Sequence, residues 1–160
     1  MAGSIKGRVA IVGMGCTKFG ELWDKGPSDL IVEAVSEAYA DAGVESKDIE
    51  AAWAGTIFSG MGGRSASEPF KLQYLPVTRV ENACASGHEA LGGAAYAVAA
   101  GSHEVGLAVG FEKLKDEGTS GIPGMENRTN THFQSSGPGM FAIMATRYFN
   151  RYGLSPEEGK

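Results

Sequence analysis

The 160-residue chain has few cysteines, no excess of basic residues and no long apolar run, and each shortage excludes a class of protein. Its two cysteines, Cys16 and Cys84, form no CxxC pair, so neither a disulfide framework nor a structural zinc site is expected, and a reducing compartment is favoured. The formal net charge of −5 argues against general nucleic-acid binding. No apolar run reaches the roughly 18 residues of a membrane span, and no secretory leader is recognisable. These shortages predict an intracellular protein with no metal, no nucleic-acid partner and no membrane span.

Glycine, in contrast, is abundant. The 24 glycines are about twice the usual share of roughly 7%. They are scattered at the ends of predicted elements rather than periodic, which indicates tight turns and close packing. With 42% hydrophobic and 21% charged residues, the chain has enough apolar side chains for a sizeable core.

Short apolar segments alternate with helical patterns along the first 112 residues. Strands are predicted at 8–13, 51–58, 77–80 and 105–111, and helices at 27–42, 68–75, 85–100 and 139–152. Strands that are apolar on both faces are typical of parallel sheets, whose strands are joined by right-handed crossover helices. The sequence therefore predicts an α/β fold with a mainly parallel sheet. The Ala- and Gly-rich helix at 85–100 has apolar or small residues nearly all round, which predicts a buried helix.

Two glycine-rich stretches invite a nucleotide-binding interpretation, and neither completes the motif. Gly13-Met14-Gly15 follows the first predicted strand, but Lys18 stands where the dinucleotide fingerprint has its third glycine. The loop at 59–67 lacks the Lys-Ser/Thr ending of a P-loop. No bound nucleotide is predicted at either stretch.

Cys84 lies between the strand predicted at 77–80 and the helix predicted at 85–100. At the start of a helix, free backbone N–H groups and the positive end of the helix dipole favour an anion, and hence the nucleophilic thiolate. The same N–H groups can hold the oxyanion of a thioester under attack. The neighbours at 83–87 are all small, which suits close approach by a substrate. A buried, inert thiol is the alternative, but this position predicts a catalytic nucleophile.

His88 follows Cys84 by one helical turn and is a candidate base, since a cysteine and a histidine can form a nucleophile–base pair. A histidine fixed in the same helix has little freedom to reach the sulfur, so a purely structural His88 stays open.

A polar stretch without periodicity, residues 113–138, follows the last predicted strand. Long loops inside compact domains are often lids or binding loops. Met125, His132 and Phe133 are candidates to line a substrate channel, with solvated or interface positions as the alternative. The predicted organisation is a core at 1–112, a loop region at 113–138, and a helix with the start of another at 139–160.

The string Asn-Ala-Cys-Ala-Ser-Gly at 82–87, after a Val-rich strand, resembles the nucleophile motif of the thiolases. The Gly13-Met14-Gly15 turn, Val-Gly-Phe-Glu-Lys at 109–113 and Met-Ala-Thr-Arg-Tyr from Met144 resemble the branch that contains the thiolase domain of sterol carrier protein X. The resemblance implies a thiolase-like βαβαβ half, a buried helix behind the nucleophile, and a loop excursion over the active site that helps a dimer form.

The resemblance also implies an acyltransferase. Cys84 would carry the acyl group as a covalent acyl-cysteine, in thiolysis of a 3-ketoacyl-CoA or in Claisen condensation. Coenzyme A and acyl-CoA would be substrates, with no tightly bound cofactor. The family's catalytic histidines and its second cysteine belong to a second half that this chain does not match. The chain alone is therefore not expected to turn over.

The partners that the resemblance implies are acyl-CoA and either a second copy, an OB-fold protein, or a chain that supplies the C-terminal half. The expected location is the cytoplasm, or the peroxisome in a eukaryote. Two alternatives stay open: a ketosynthase-like condensing enzyme and a non-catalytic thiolase-like scaffold subunit.

Overall fold

The structure, a computed structural model, describes residues 4–117, 137–155 and 157. The described chain contains four α-helices and three strands in the order α1 (Pro27–Ala42), β1 (Ala51–Gly55), α2 (Arg64–Phe70), β2 (Val77–Val80), α3 (Ser86–Ala99), β3 (Gly106–Gly110) and α4 (Gly137–Tyr152). Short 3₁₀ turns lie at Ser46–Asp48 and Lys115–Glu117. The chain divides into two compact units, Met1–Lys113 and Leu114–Lys160.

The three strands form one parallel sheet in the order β2-β1-β3. Ala52 of β1 is opposite Val77 of β2 on one side and Leu107 of β3 on the other. Parallel strands need crossover connections. Helix α2 lies in the connection between the neighbours β1 and β2, and α3 lies in the connection from β2 to β3, on the other side of β1. The predicted α/β class with a parallel sheet is confirmed.

The core of the first unit lies where α1, α2 and α3 cover this sheet. Its central strand is made largely of small residues, so the helices can approach the sheet closely. Buried apolar residues include Ile31 and Val35 of α1, Ala52 and Ala54 of β1, Ala66 of α2, Ala90 and Ala94 of α3, and Leu107 and Val109 of β3.

The prediction of a strand at 8–13 is wrong, because this segment has no regular secondary structure and pairs with no described strand. Its place beside β1 is taken by β3, which pairs with β1 along its whole length. Ile11 and Val12, predicted to be buried in the sheet, are 64% and 66% exposed.

The segment passes over α1 instead, and this explains its glycines. A Cβ on Gly13 would lie 2.4 Å from the carbonyl oxygen of Ala38, and one on Gly15 would lie 2.0 Å from that of Ala34. Carboxylates of α1 replace the missing strand partner: Asp41 accepts a hydrogen bond from the N–H of Met14, and Glu37 accepts one from the N–H of Cys16, both at 2.9 Å. The Gly-x-Gly pattern therefore serves close helix packing.

Two of the predicted elements differ from those observed in extent, and a third differs in burial. Strand β1 ends at Gly55 rather than at 58, since the backbone N–H of Ile57 binds the carboxylate of Glu112 instead of another strand. Helix α2 begins at Arg64, inside the predicted loop, and ends at Phe70, where Lys71 caps it in a left-handed conformation with φ 51°. Helix α3 is buried along one face only, because Leu91 and Tyr96 are 41% and 65% exposed.

The second unit contributes α4, close to the helix predicted at 139–152. Several of its apolar side chains are exposed, among them Phe141 and Ile143. The rings of Tyr148 and Tyr152 stack with centroids 4.7 Å apart. No helix in the described ranges is long and apolar enough to cross a lipid bilayer.

Candidate active site

Cys84 lies at the carboxyl end of the parallel sheet, four residues after β2 and two residues before α3. Ligands of open α/β sheets bind outside the carboxyl ends of the strands. Cys84 is a free thiol and is exposed, as is Cys16 on the segment that crosses α1. The position of Cys84 in the fold therefore suits a nucleophile that must meet a substrate.

The turn that carries Cys84 is held by Ser86. The buried hydroxyl of Ser86 accepts a hydrogen bond from the N–H of Asn82 at 2.9 Å and donates one to the carbonyl of Ala83 at 2.7 Å. Ala83 itself has a φ of 45°, in the left-handed region that alanine rarely adopts. The side chain at the first position of α3 thus fixes the bend from which Cys84 projects.

Three backbone N–H groups, in the cysteine turn and in the first turn of α3, have no acceptor among the described residues. In the described part of the chain, no acceptor binds the N–H of Cys84, Gly87 or His88. The first turn of a helix leaves such donors without partners, and together with the helix dipole they attract negative charge. The arrangement can stabilise both a thiolate and a developing oxyanion.

Close backbone contacts hold the first turn of α3 against the sheet. A Cβ on Gly55, at the end of β1, would lie 2.2 Å from the carbonyl oxygen of Ser86. A Cβ on Gly110, at the end of β3, would lie 2.9 Å from the Cα of Gly87. Only glycine fits at these contacts, so the helix start that follows Cys84 is set by the backbone of two strands.

A second feature at the same edge is the turn formed by residues 56–59, which follows β1. The carboxylate of Glu112, which follows β3, accepts hydrogen bonds from three consecutive backbone N–H groups and two hydroxyls of this turn. The donors are Ile57 N (2.6 Å), Phe58 N (3.2 Å), Ser59 N (2.8 Å), Ser59 Oγ (2.6 Å) and Thr56 Oγ1 (3.2 Å). The turn is therefore wrapped around one carboxylate.

Arg79 of β2 holds the other side of this turn. Its Nη2 donates to the carbonyl oxygens of Thr56 and Ile57, both at 2.8 Å, and the N–H of Thr56 donates to the carbonyl of Val80 at 3.3 Å. The guanidinium of Arg79, on the outer strand β2, and the carboxylate of Glu112, just after the outer strand β3, thus both hold the turn that follows the central strand β1.

Lys113 extends the same network into the interior and is only 3% exposed. Its backbone N–H donates to the hydroxyl of Ser59 at 2.6 Å, and its Nζ donates to the carbonyl of Leu22 at 2.7 Å. The ammonium group is therefore held by the chain itself.

The structure places His88 on the exposed surface of α3, in the helix's first turn. The helix begins at Ser86, so Cys84 precedes it and the helical spacing that relates the two residues applies only loosely. No hydrogen bond joins His88 to Cys84 among the described residues. The role predicted for His88 stays a prediction, and Met125, His132 and Phe133 lie outside the described residues.

Sequence reasoning missed three residues that shape this edge: Ser86, Arg79 and Glu112. The sequence pattern predicts Ser86 only as a small neighbour of Cys84. A serine at the start of a helix, however, commonly forms hydrogen bonds with nearby backbone groups. Glu112 directly follows an apolar strand and needs a partner there, which was the available signal. Its partners lie more than 50 residues earlier, and no local pattern identifies them.

In the described ranges, no three His, Cys, Asp or Glu side chains cluster as they would around a metal ion. The chemistry available at this edge is that of a cysteine, backbone donors and a helix N-terminus.

Comparison with known proteins gives concordant results. The acetyl-CoA acetyltransferase of Methanocaldococcus jannaschii is 40% identical over 159 residues, which cover 94% of this chain and 41% of that protein. Sterol carrier protein 2 of Homo sapiens is 30% identical over 168 residues, which cover 94% of this chain and 30% of that protein. The chain thus spans about two fifths or less of the length of these relatives.

Two solved structures share the fold. An Ltp2-ChsH2(DUF35) aldolase superposes with a TM-score of 0.63 at 25% identity, covering 91% of this chain and 39% of that one. The Acat5 thiolase of Ascaris suum, solved in complex with coenzyme A, superposes with a TM-score of 0.61 at 17% identity, covering 91% and 42%. The second likeness concerns the fold alone.

The family model described as "Thiolase, N-terminal domain" matches residues 9–147, a range that contains the sheet, the cysteine turn and most of α4. The chain therefore belongs to the thiolase family.

Proposed function

We propose that this chain is the nucleophile-bearing part of a thiolase-type acyltransferase, with Cys84 as the residue that accepts the acyl group. The observation that carries the proposal is the exposed thiol of Cys84 beside three N–H groups without acceptors, at the carboxyl edge of a parallel sheet. The acetyl-CoA acetyltransferases of two archaea, at 40% and 36% identity, support an acyl-CoA as the substrate.

In the proposed step, the thiolate of Cys84 attacks the carbonyl carbon of an acyl-CoA. The new S–C bond forms as the carbonyl oxygen takes negative charge, and in this proposal the N–H groups of Cys84 and of the first turn of α3 bind that charge. Collapse of the intermediate breaks the bond to the sulfur of coenzyme A. The products are an acyl-cysteine and a coenzyme A thiolate, so atoms and charge balance without a further reactant.

The second half of the reaction needs groups that we do not assign to this chain. We propose that they belong to the part of the relatives' length that this chain does not cover. The chain alone is then expected to be acylated once, without continuous turnover. His88 stays a candidate base, and Met125, His132 and Phe133 stay candidates for the acyl channel.

Intact-mass spectrometry after incubation with acetyl-CoA or a longer acyl-CoA tests the proposal. We expect a mass gain of one acyl group in the parent chain and in Cys16→Ala, and none in Cys84→Ala. Cys16 is the matched control, because it is also a free, exposed thiol. Acylation of both cysteines at equal rates would mean that Cys84 has no special reactivity, and would refute the proposal.

Assembly with a second protein is a separate proposal, favoured by the structural neighbour whose name joins an aldolase to a DUF35 partner. In a scaffold role, Cys84→Ala would leave the activity of the assembled complex unchanged. In the role proposed above, the same substitution abolishes it.

A further inference from the structure

The strongest unexplained feature of the fold is the turn at 56–59, which is bound by two charged side chains, Glu112 and Arg79. A gain in stability does not explain this arrangement, because burying charged groups in part costs desolvation free energy. Glu112 and Arg79 do not offset that cost by pairing, since they bind backbone groups rather than each other. Each charge instead satisfies one side of the same turn. Glu112 takes its N–H groups, and Arg79 takes its carbonyl groups.

The turn at 56–59 adjoins the residues that hold the start of α3, which follows Cys84. Thr56 follows Gly55, whose backbone contacts Ser86, and Glu112 lies two residues after Gly110, whose backbone contacts Gly87. Arg79 stands on the strand that leads to the cysteine turn. The residues fixed by Glu112 are therefore the direct neighbours, in sequence, of those that seat the first turn of α3.

We propose that Glu112 is a positioning residue for Cys84. By holding the 56–59 turn, its carboxylate keeps the ends of β1 and β3 at the spacing that seats the start of α3, and thus orients the cysteine and the N–H groups beside it. This inference rests on the proposed function, since it assigns Glu112 a role in the acylation of Cys84.

Glu112→Gln is the test, made in a Cys16→Ala background so that Cys84 is the only thiol. The amide keeps the shape of the side chain but turns one acceptor oxygen into an N–H₂ group that faces backbone donors. The matched control is Glu50→Gln. Glu50 accepts a hydrogen bond from the N–H of Glu104 at 2.7 Å, and both residues stand before their strands, at the opposite end of the sheet.

Two rates are measured for the folded fraction of each variant: alkylation of Cys84 by iodoacetamide, and acetylation by acetyl-CoA over a range of concentrations. We expect Glu112→Gln to lower the maximal acetylation rate by about tenfold, with a smaller change in the half-saturating concentration, because a slightly misplaced nucleophile reacts slowly once substrate is bound. Alkylation should also change several-fold. Glu50→Gln should change neither rate, even where it lowers stability.

The outcomes separate this inference from the proposed function. Equal alkylation and acetylation rates in the two variants would overturn the positioning role and leave the nucleophile intact. If no protein is acetylated but alkylation still depends on Glu112, the proposed acyl transfer fails while the positioning of Cys84 stands.

Should Glu112→Gln not fold, Thr56→Val keeps the carboxylate and removes one of its donors. The N–H of Ser59, from which Thr56 Oγ1 also accepts a hydrogen bond, then still donates to Glu112. A smaller loss in the same direction would support the role of Glu112, and unchanged rates would contradict it.

Discussion

Ala83 adopts a left-handed backbone conformation immediately before the proposed nucleophile, with φ at 45°. A non-glycine residue in this region costs on the order of 1–3 kcal/mol, and such strain concentrates at functional sites. The hydroxyl of Ser86 and the hydrogen bond from the N–H of Ala85 to the carbonyl of Asn82, at 2.9 Å, hold the turn in place. The strain is local to the turn that carries the exposed Cys84.

A pair of valine substitutions on either side of Cys84 tests this strain. Ala83→Val puts a β-branched side chain at positive φ, whereas Ala85→Val puts it at φ −98° and ψ 10°, in the sparsely populated but allowed bridge region. Both alanines are exposed, so packing losses are similar. We expect Ala83→Val to lower the free energy of unfolding by about 1–3 kcal/mol more than Ala85→Val in urea denaturation. Equal losses would mean that the turn is not strained at Ala83.

Among the elements, α3 and the two strands it rests on determine the site. The sequence pattern predicted the strand at 77–80, the helix after Cys84 and the strand near 105–111, because apolar runs and small-residue periodicity are local signals. It did not predict that 8–13 would leave the sheet. That outcome depends on which strand β1 pairs with, and pairing is a property of distant segments. The hydrogen bonds of Arg79 and Glu112 to the 56–59 turn were not predicted either, because they too join segments that are distant in the sequence.

The contact between β1 and α3 gives a prediction at this scale. In Gly55→Ala the new Cβ would lie 2.2 Å from the carbonyl oxygen of Ser86, a backbone atom that cannot move without shifting the helix. We expect a loss of about 3 kcal/mol or more in thermal or urea denaturation, together with altered alkylation of Cys84.

The matched control is Gly92→Ala in α3, whose Cβ would meet only a ring carbon of Tyr96, at 3.9 Å. Alanine is a better helix former than glycine by roughly 0.5–1 kcal/mol, so this variant should be more stable than the parent. A Gly55→Ala variant as stable as Gly92→Ala would show that the predicted clash at Gly55 is relieved by small backbone shifts.

At the scale of the whole molecule, the first unit is stabilised by packing between its helices and its sheet, and an aromatic pair contributes to the contact between α1 and α2. The rings of Tyr39 and Phe70 are 5.6 Å apart in an edge-to-face arrangement. The hydroxyl of Tyr39 is buried, and in the described part of the chain it forms no hydrogen bond. The helical spacing of 27–42 predicted Tyr39 as a packing residue, and the observed ring contact agrees with that prediction. Its isolated hydroxyl follows from how α1 and α2 are placed, which the spacing does not reveal.

This buried hydroxyl has no hydrogen-bond partner among the described residues, although the Ser46 hydroxyl is near it, and it makes the unit less stable at alkaline pH. Burial raises the pKa of Tyr39 above its ordinary value, and the nearby Ser46 hydroxyl lowers it only in part. The neutral phenol is thus favoured in the folded state. Below about pH 10, the ordinary tyrosine pKa, Tyr39 is protonated in both the folded and the unfolded state, and its burial causes no loss of stability with pH. Above it the unfolded state ionises first, so stability falls with rising pH until the folded-state pKa is passed.

Tyr39→Phe removes this dependence, whereas Tyr96→Phe is the matched control, because Tyr96 is 65% exposed. Urea denaturation from pH 7 to pH 11 should find Tyr39→Phe no less stable than the parent near neutrality, since no hydrogen bond is lost. Its advantage over the parent should grow above pH 10, while the difference between Tyr96→Phe and the parent stays flat. A difference for Tyr39→Phe that also stays flat would mean that the phenol is reached by solvent, and that α1 and α2 are less tightly joined in solution than in this structure.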